Sequence, residues 1–266
     1  HIPVTSIGEL DMEVFKSLLT PKVKFISVTH MSNVLGTINP VKEMIDLAHA
    51  NGSKILIDGA QGAPHINVDV QELNCDFYVF SAHKMLGPTG IGALYGKTEL
   101  LEMMPPFLGG GEMIDEVFLD HSTYGQIPHK FEAGTPNIAG GIGFGAAIDY
   151  INSFGIEEIH KIEKELTRYA VDKMSEIPIM EIYGTSPHKG GVISFNIQGI
   201  HPLDLAQYID QRGVAIRSGH HCAQPLLTRL GLNSTARASF YLYNTQSEID
   251  YFIEMLLKAM TFFRVG

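Results

Sequence analysis

Residues 76–84 read Asp-Phe-Tyr-Val-Phe-Ser-Ala-His-Lys, an apolar run followed at once by polar side chains. Aromatic and β-branched residues in such a short run are typical of a buried strand, so we expect a strand over 76–80. The polar group Ser81 to Lys84 then stands where the strand ends, with a glycine-rich stretch over 87–92 behind it. The segment therefore predicts a strand whose carboxyl end carries chemically useful side chains.

Further strands and a helix are expected around this segment. Apolar β-branched runs predict strands over 24–29, 54–58 and 91–95, and helical spacing of apolar residues predicts a helix over 41–51. Strand, helix and strand at this spacing imply right-handed crossovers. The expected fold is therefore α/β, with a mainly parallel sheet and helices on both faces.

The second half of the chain predicts a smaller α/β unit. Residues 105–134 are rich in glycine and proline and predict a long loop of the kind that is usually functional or part of an interface. After it we expect helices over 137–154, 156–177 and 202–211, strands over 192–197, 214–216 and 237–240, and a last helix opened by the capping box Thr245-Gln-Ser-Glu248. We place a domain boundary near residue 155, which gives a large domain over 1–155 and a small C-terminal domain over 156–266.

Composition narrows the classes of protein. Apolar residues make up 45% of the 266 residues, enough for a packed core. The net charge of −10, without a basic stretch to offset it, argues against a nucleic-acid partner. Two cysteines form no disulfide framework and suit a reducing cytoplasm. No apolar run has the length needed to cross a bilayer, so we expect no membrane partner.

Three polar clusters follow or end predicted strands, namely Asn33 with its neighbours, Asp58, and Ser81 to Lys84. Ligands of open parallel sheets bind beyond the carboxyl ends of the strands. A lysine there can form a Schiff base with an aldehyde cofactor, and an aspartate can keep a pyridine nitrogen protonated. Taken singly, Asp58 is more simply a turn cap and Lys84 a solvated loop residue. Taken together, the clusters favour the functional interpretation.

Cys222 lies in the segment Arg-Ser-Gly-His-His-Cys-Ala at 217–223, between a glycine and a proline that indicate a loop. Two histidines and an arginine nearby favour the thiolate, the reactive form of cysteine. The ordinary alternative is a small core residue, which fits Cys75 well. The His-His-Cys cluster does not predict zinc, because adjacent residues seldom share one ion and no second cluster supplies further ligands.

Arg237 stands between small residues at the start of the strand predicted over 237–240. A planar guanidinium matches a carboxylate with two parallel hydrogen bonds, so this position favours a substrate clamp over an ordinary surface arginine. Five other histidines have no argued role and are expected on the surface or in loops: His65, His121, His129, His160 and His188.

Four motifs together resemble the class V branch of the fold-type I pyridoxal-phosphate enzymes. They are Ile-Asp-Gly-Ala-Gln at 57–61, the stretch 81–92, the segment 217–223, and Ala-Arg-Ala-Ser at 236–239. The last two narrow the resemblance to the SufS-type cysteine desulfurases and the related selenocysteine lyases. The likeness runs from about residue 25 to 245. It implies a preceding segment with a glycine–threonine phosphate contact and a histidine that stacks on the cofactor ring.

The resemblance implies pyridoxal 5'-phosphate as cofactor and gives each matching residue a role. Lys84 would carry the cofactor as an imine, and Cys222 would receive sulfur as a persulfide. The remaining roles are Asp58 on the pyridine nitrogen, Gln61 on the phenolic oxygen, Ser81 and His83 on the phosphate, Asn33 beside the cofactor and with Arg237 on the substrate carboxylate, and Thr135 on the phosphate of the neighbouring subunit.

The resemblance also implies the reaction, in which L-cysteine becomes L-alanine and the sulfur serves iron–sulfur cluster assembly. It implies a homodimer and a small sulfur-accepting protein of the SufE or SufU type. Three alternatives remain open: a selenocysteine lyase, an aminotransferase, which has no need of the thiol, and a non-catalytic remnant within a sulfur-assembly complex. Retention of Lys84, Asp58, Cys222 and Arg237 together argues against the last.

Overall fold

Two four-stranded sheets and one hairpin organise the chain. The computed structural model describes residues 1–266. The strands are β1 Phe25–Thr29, β2 Lys54–Asp58, β3 Phe77–Ser81, β4 Gly92–Gly96, β5 Ile114–Val117, β6 Ser122–Tyr124, β7 Met180–Tyr183, β8 Val192–Ile197, β9 Arg217–Gly219 and β10 Thr235–Ser239. The helices are α1 Met12–Leu18, α2 Val41–Ala50, α3 Val70–Leu73, α4 Thr98–Met103, α5 Ile138–Phe154, α6 Ile156–Ser175, α7 Pro202–Asp210, α8 Gln224–Arg229 and α9 Gln246–Phe263.

The first sheet has the order β1-β2-β3-β4, with the first three strands parallel and β4 antiparallel. Thr29 pairs with Asp58, and Asp58 pairs with Val79. Because parallel strands run the same way, their carboxyl ends lie at one edge of this sheet. The expected α/β fold with a mainly parallel sheet is confirmed.

One face of the first sheet packs into a hydrophobic core. Strand β1 alternates exposed and buried residues, and its buried pair, Ile26 and Val28, lies beside Ile55 and Ile57 of β2. Helix α2 contributes Val41, Met44, Ile45 and Ala48 to the same cluster. Each buried valine, isoleucine or methionine side chain of this cluster stabilises the fold by about 1.5–3 kcal/mol. Residues of the opposite face are more exposed to solvent: Phe25 and Leu94 are 53% and 50% exposed.

The second sheet has the order β7-β8-β10-β9 and is antiparallel throughout. Residues of α6, α7 and α9 pack with its strands in a second hydrophobic cluster, separate from that of the first sheet. Each sheet therefore has a core of its own. We retain the boundary near residue 155 as a proposal, which these two separate clusters support.

Two expectations about secondary structure need correction. The strand predicted over 214–216 is wrong: these residues belong to no strand, and the strand is β9, whose Gly219 pairs with Thr235. Val214 and Ile216 pack against the second hydrophobic cluster. This packing explains why they are apolar, and the resulting alternation in the sequence resembles that of a strand. The loop predicted over 105–134 contains the hairpin β5-β6. Its strands are short and mostly exposed, so they leave no alternation of apolar residues.

No helix combines the length and the apolar composition that a membrane-crossing segment needs.

Candidate active site

Asp58 and Lys84 lie at the carboxyl edge of the first sheet, Asp58 at the end of one strand and Lys84 in the turn after the neighbouring strand. Asp58 is the last residue of β2, and its Oδ1 accepts a hydrogen bond of 2.9 Å from the backbone N–H of Ala60. Ser81 ends β3, and a 3₁₀ turn over Ala82–Lys84 follows it. Lys84 is half-buried in that turn. The structure thus brings a carboxylate, a hydroxyl and an amine to one edge, as the order of strands requires.

A buried, uncharged pair supports the turn that follows Asp58. The ring of Tyr78 packs under Gly59, where an added Cβ would come within 2.0 Å of it, so only glycine fits there. The Tyr78 hydroxyl is 3.0 Å from His30 Nδ1. Burial lowers the pKa of His30 to about 4 and raises that of Tyr78. Both side chains are therefore neutral near pH 7, so this pair adds no charge to the turn after Asp58.

The other residues expected at the cofactor differ in exposure. Gln61 is half-buried in the turn after β2, close in sequence to Asp58. His83 is exposed in the turn that carries Lys84. Thr135 is exposed on the segment before α5, where a second molecule can reach it. The structure therefore groups Gln61 and His83 with the sheet edge, whereas Thr135 faces outward.

Asn33 links the first sheet to the second. Arg237 on β10 donates from Nη1 to the backbone oxygen of Asn33 over 2.7 Å. The Asn33 side chain donates in turn from Nδ2 to the backbone oxygen of His221 over 2.6 Å. Arg237 Nε is buried and has no hydrogen-bond partner within the chain. A buried donor without a partner is costly, so this guanidinium is suited to an anionic ligand.

Cys222 stands on a tight turn between β9 and α8. The thiol is exposed, and Arg217 Nη2 lies 3.5 Å from its Sγ. His221 and Cys222 have φ angles of 53° and 61°. This left-handed backbone costs about 1–2 kcal/mol per residue for anything but glycine. The loop expected around Cys222 is confirmed, and so is the core position of Cys75, which is 0% exposed.

Sequence reasoning missed a buried contact between the two halves of the chain. His65, in the turn after β2, has its Nδ1 2.6 Å from Oε1 of Glu163 on α6. Glu163 is completely buried, and nothing in the local sequence marks it as different from the exposed glutamates of the same helix. The expected surface or loop placement is wrong for His160, which lies in α6 with its Nδ1 buried.

Comparison with known proteins identifies the family. The family model described as aminotransferase class-V matches residues 1–252. The chain belongs to this class V family.

Similar class V proteins carry the name cysteine desulfurase. A probable cysteine desulfurase of Halalkalibacterium halodurans is 51% identical over 263 residues, which are 99% of this chain and 64% of that protein. A cysteine desulfurase of Dickeya dadantii is 52% identical over 250 residues, 94% of this chain and 60% of that protein. The chain thus spans somewhat less than two thirds of the length of these curated relatives.

A solved cysteine desulfurase structure shows the same fold. The cysteine desulfurase CsdA of Escherichia coli superposes with a TM-score of 0.94 at 39% identity, covering 98% of this chain and 65% of that chain. This likeness confirms the fold-type I architecture expected from the sequence.

Proposed function

We propose that this protein is a pyridoxal-phosphate-dependent cysteine desulfurase, which converts L-cysteine to L-alanine and takes the sulfur onto Cys222 as a persulfide. The observation that carries the proposal is the link through Asn33, which ties Arg237 and the loop of Cys222 to the sheet edge with Asp58 and Lys84. L-Cysteine presents a carboxylate, an amine and a thiol. The site presents a guanidinium, a lysine and a thiol of its own, one matching group for each.

The residues at the sheet edge fit pyridoxal phosphate. The Ala60 N–H holds only Oδ1 of Asp58, which leaves Oδ2 for a protonated pyridine nitrogen. Lys84 would hold the cofactor covalently, Gln61 its phenolic oxygen, and Ser81 with His83 its phosphate. When bound, the cofactor supplies a conjugated ring that accepts electrons from the substrate α-carbon.

Other side chains of this protein would bind the substrate and carry out the proton and sulfur transfers. Arg237, with its unpartnered buried Nε, would bind the substrate carboxylate together with Asn33 and so fix the orientation of the α-carbon. The Lys84 amine would take the α-proton. The Cys222 thiolate, beside Arg217, would attack the substrate sulfur: a sulfur–sulfur bond forms, the carbon–sulfur bond breaks, and its electron pair stays with carbon. Protonation of that β-carbon, and return of the α-proton from Lys84 to the α-carbon, then yield alanine.

The proposal extends to partners and location. Thr135 is exposed, as a contact to a neighbouring subunit's phosphate in a homodimer requires. The exposed thiol of Cys222 supports transfer of its sulfur to a small acceptor protein of the SufE or SufU type, in the service of iron–sulfur cluster assembly. We place this chemistry in the cytoplasm, where thiols stay reduced.

Two other functions make different predictions. A selenocysteine lyase would use the same site and would turn over selenocysteine faster than cysteine. A non-catalytic member of a sulfur-assembly complex would have no use for Lys84, Asp58 and Cys222 together, and it would form no covalent bond to the cofactor.

The absorbance spectrum of the protein with pyridoxal phosphate tests the proposal. We expect a visible band from the lysine-bound cofactor, and a change in that band when L-cysteine is added. Lys84→Ala should abolish the band, whereas Lys22→Ala, which alters an exposed lysine, should retain it. An unchanged band in Lys84→Ala, or no band in the parent protein, would refute the assignment.

A further inference from the structure

We propose that His221 is the positioning residue for Cys222: its imidazole and its backbone carbonyl hold the cysteine loop, residues 219–222, at two points. This inference rests on the proposed function, since it assigns to His221 the placement of the sulfur-accepting thiol. His221 itself does not touch the reacting atoms.

The first point of attachment is the imidazole. Only 1% of His221 is exposed, and its Nε2 lies 3.0 Å from the backbone oxygen and 2.9 Å from Oγ1 of Thr235. Thr235 is the first residue of β10 and is equally buried. The side chain next to the exposed thiol is thus fixed to a strand of the second sheet.

The second point is the carbonyl of His221, which accepts the hydrogen bond from Asn33 Nδ2. Asn33 follows β1, so this bond attaches the same residue to the first sheet. An amide nitrogen carries two hydrogens. One serves His221, and the other is available to a substrate carboxylate beside Arg237. Asn33 can therefore hold the substrate and the cysteine loop at once.

The backbone of the loop needs both attachments. Two consecutive residues other than glycine, His221 and Cys222, have left-handed φ angles. Such a conformation persists only where the surrounding structure enforces it. Loss of either attachment would let the pair relax and would carry the thiol away from Arg217.

The role of His221 is one of position and not of charge. Burial, with the positive charges of Arg237 and Arg217, lowers the pKa of His221 to about 4. The imidazole is thus uncharged at neutral pH and adds no positive charge that would favour the thiolate.

Hydrogen–deuterium exchange over residues 217–224 tests this inference directly. The amide of Ala223 donates to the oxygen of His220 over 2.9 Å and reports whether the turn is closed. Thr235→Val removes one contact of the imidazole at constant volume, and we expect about fivefold faster exchange of this amide. His221→Phe removes both contacts and should accelerate exchange further. Thr228→Val makes the same change on exposed α8 and should leave the loop unchanged.

Two further measurements distinguish this inference from the proposed function. Sulfur transfer from cysteine should slow in Thr235→Val, while the cofactor band persists. Equal exchange in Thr235→Val and the parent, or equal acceleration in Thr228→Val, would overturn the inference. Exchange needs neither cofactor nor substrate, so a faster loop in a protein without desulfurase activity would refute the function and support the anchor.

Discussion

The two cysteines show how surroundings decide the chemistry of one residue type. Cys75 is packed among apolar side chains, and burial raises the pKa of its thiol, which disfavours the nucleophilic thiolate. Cys222 is exposed on a turn with a guanidinium beside its sulfur. The same thiol group is therefore an inert filler of the core in one place and a candidate nucleophile in the other.

His30 should make stability depend on pH. Its pKa is about 4 in the folded protein and 6.5 in the unfolded chain, so the unfolded state binds the proton first as the pH falls. Stability is then lost between pH 6.5 and about 4. From pH 7 to pH 5 the loss due to this one group is about 2 kcal/mol.

Urea unfolding of the cofactor-free protein at pH 7 and pH 5 measures this effect. His30→Gln should reduce the difference between the two free energies of unfolding by about 2 kcal/mol. The matched variant His129→Gln, at an exposed position, should not reduce it. Equal pH dependence in His30→Gln and the parent would contradict the burial of a neutral imidazole.

At the scale of elements, helix ends set by contacts between residues close in sequence can be predicted from the sequence. The capping box at Thr245 predicts the start of α9, and the structure confirms it: Oγ1 accepts from the Glu248 N–H, and Glu248 accepts from the Thr245 N–H. That backbone hydrogen bond is the main cause of the lowered pKa of Glu248. Both contacts join residues three apart, so the sequence itself contains the whole motif.

Loss of this cap should destabilise the protein measurably. Thr245→Ala removes the acceptor for one backbone N–H, and we expect the free energy of unfolding to fall by about 1 kcal/mol. Thr261→Ala makes the same change near the other end of α9, where the hydroxyl only donates to a helical carbonyl, and should change stability by less than about 0.5 kcal/mol. Thermal or urea unfolding of both variants gives the comparison, and equal losses would count against the capping role.

Elements set by distant pairing were harder to predict. Strand β9 exists because β10 lies beside it, and its own three residues, Arg-Ser-Gly, have no strand character. The apolar run just before it has that character and finds no partner strand. Pattern alone therefore placed the strand too early by three residues.

At the scale of the whole molecule, the sequence supplied the strand-edge motifs but not the contacts that hold the two halves together. Asp58, Lys84, Cys222 and Arg237 stand in motifs that can be recognised one at a time. The pair His65–Glu163 joins residues 98 apart, and no periodicity links them. The same is true of the contact between Asn33 and His221, which are 188 apart.

The junction of His65 and Glu163 should matter for stability. Burial raises the pKa of Glu163, and the hydrogen bond from His65 offsets part of that rise. His65→Ala would leave a buried carboxylate without its partner, at a cost of about 3 kcal/mol near neutral pH. Glu165→Gln changes an exposed glutamate on the same helix and should cost little. Similar unfolding free energies for the two variants would show that the junction contributes nothing.

The most direct test of the whole account is the mass of the Cys222 peptide after the protein, loaded with pyridoxal phosphate, has reacted with L-cysteine under non-reducing conditions. We predict the mass of one additional sulfur atom on that peptide, alanine in solution, and an unmodified Cys75 peptide. Cys222→Ala should retain the cofactor absorbance and form no persulfide. Alanine formation at the parent rate in Cys222→Ala, or sulfur found on Cys75 instead, would contradict the account.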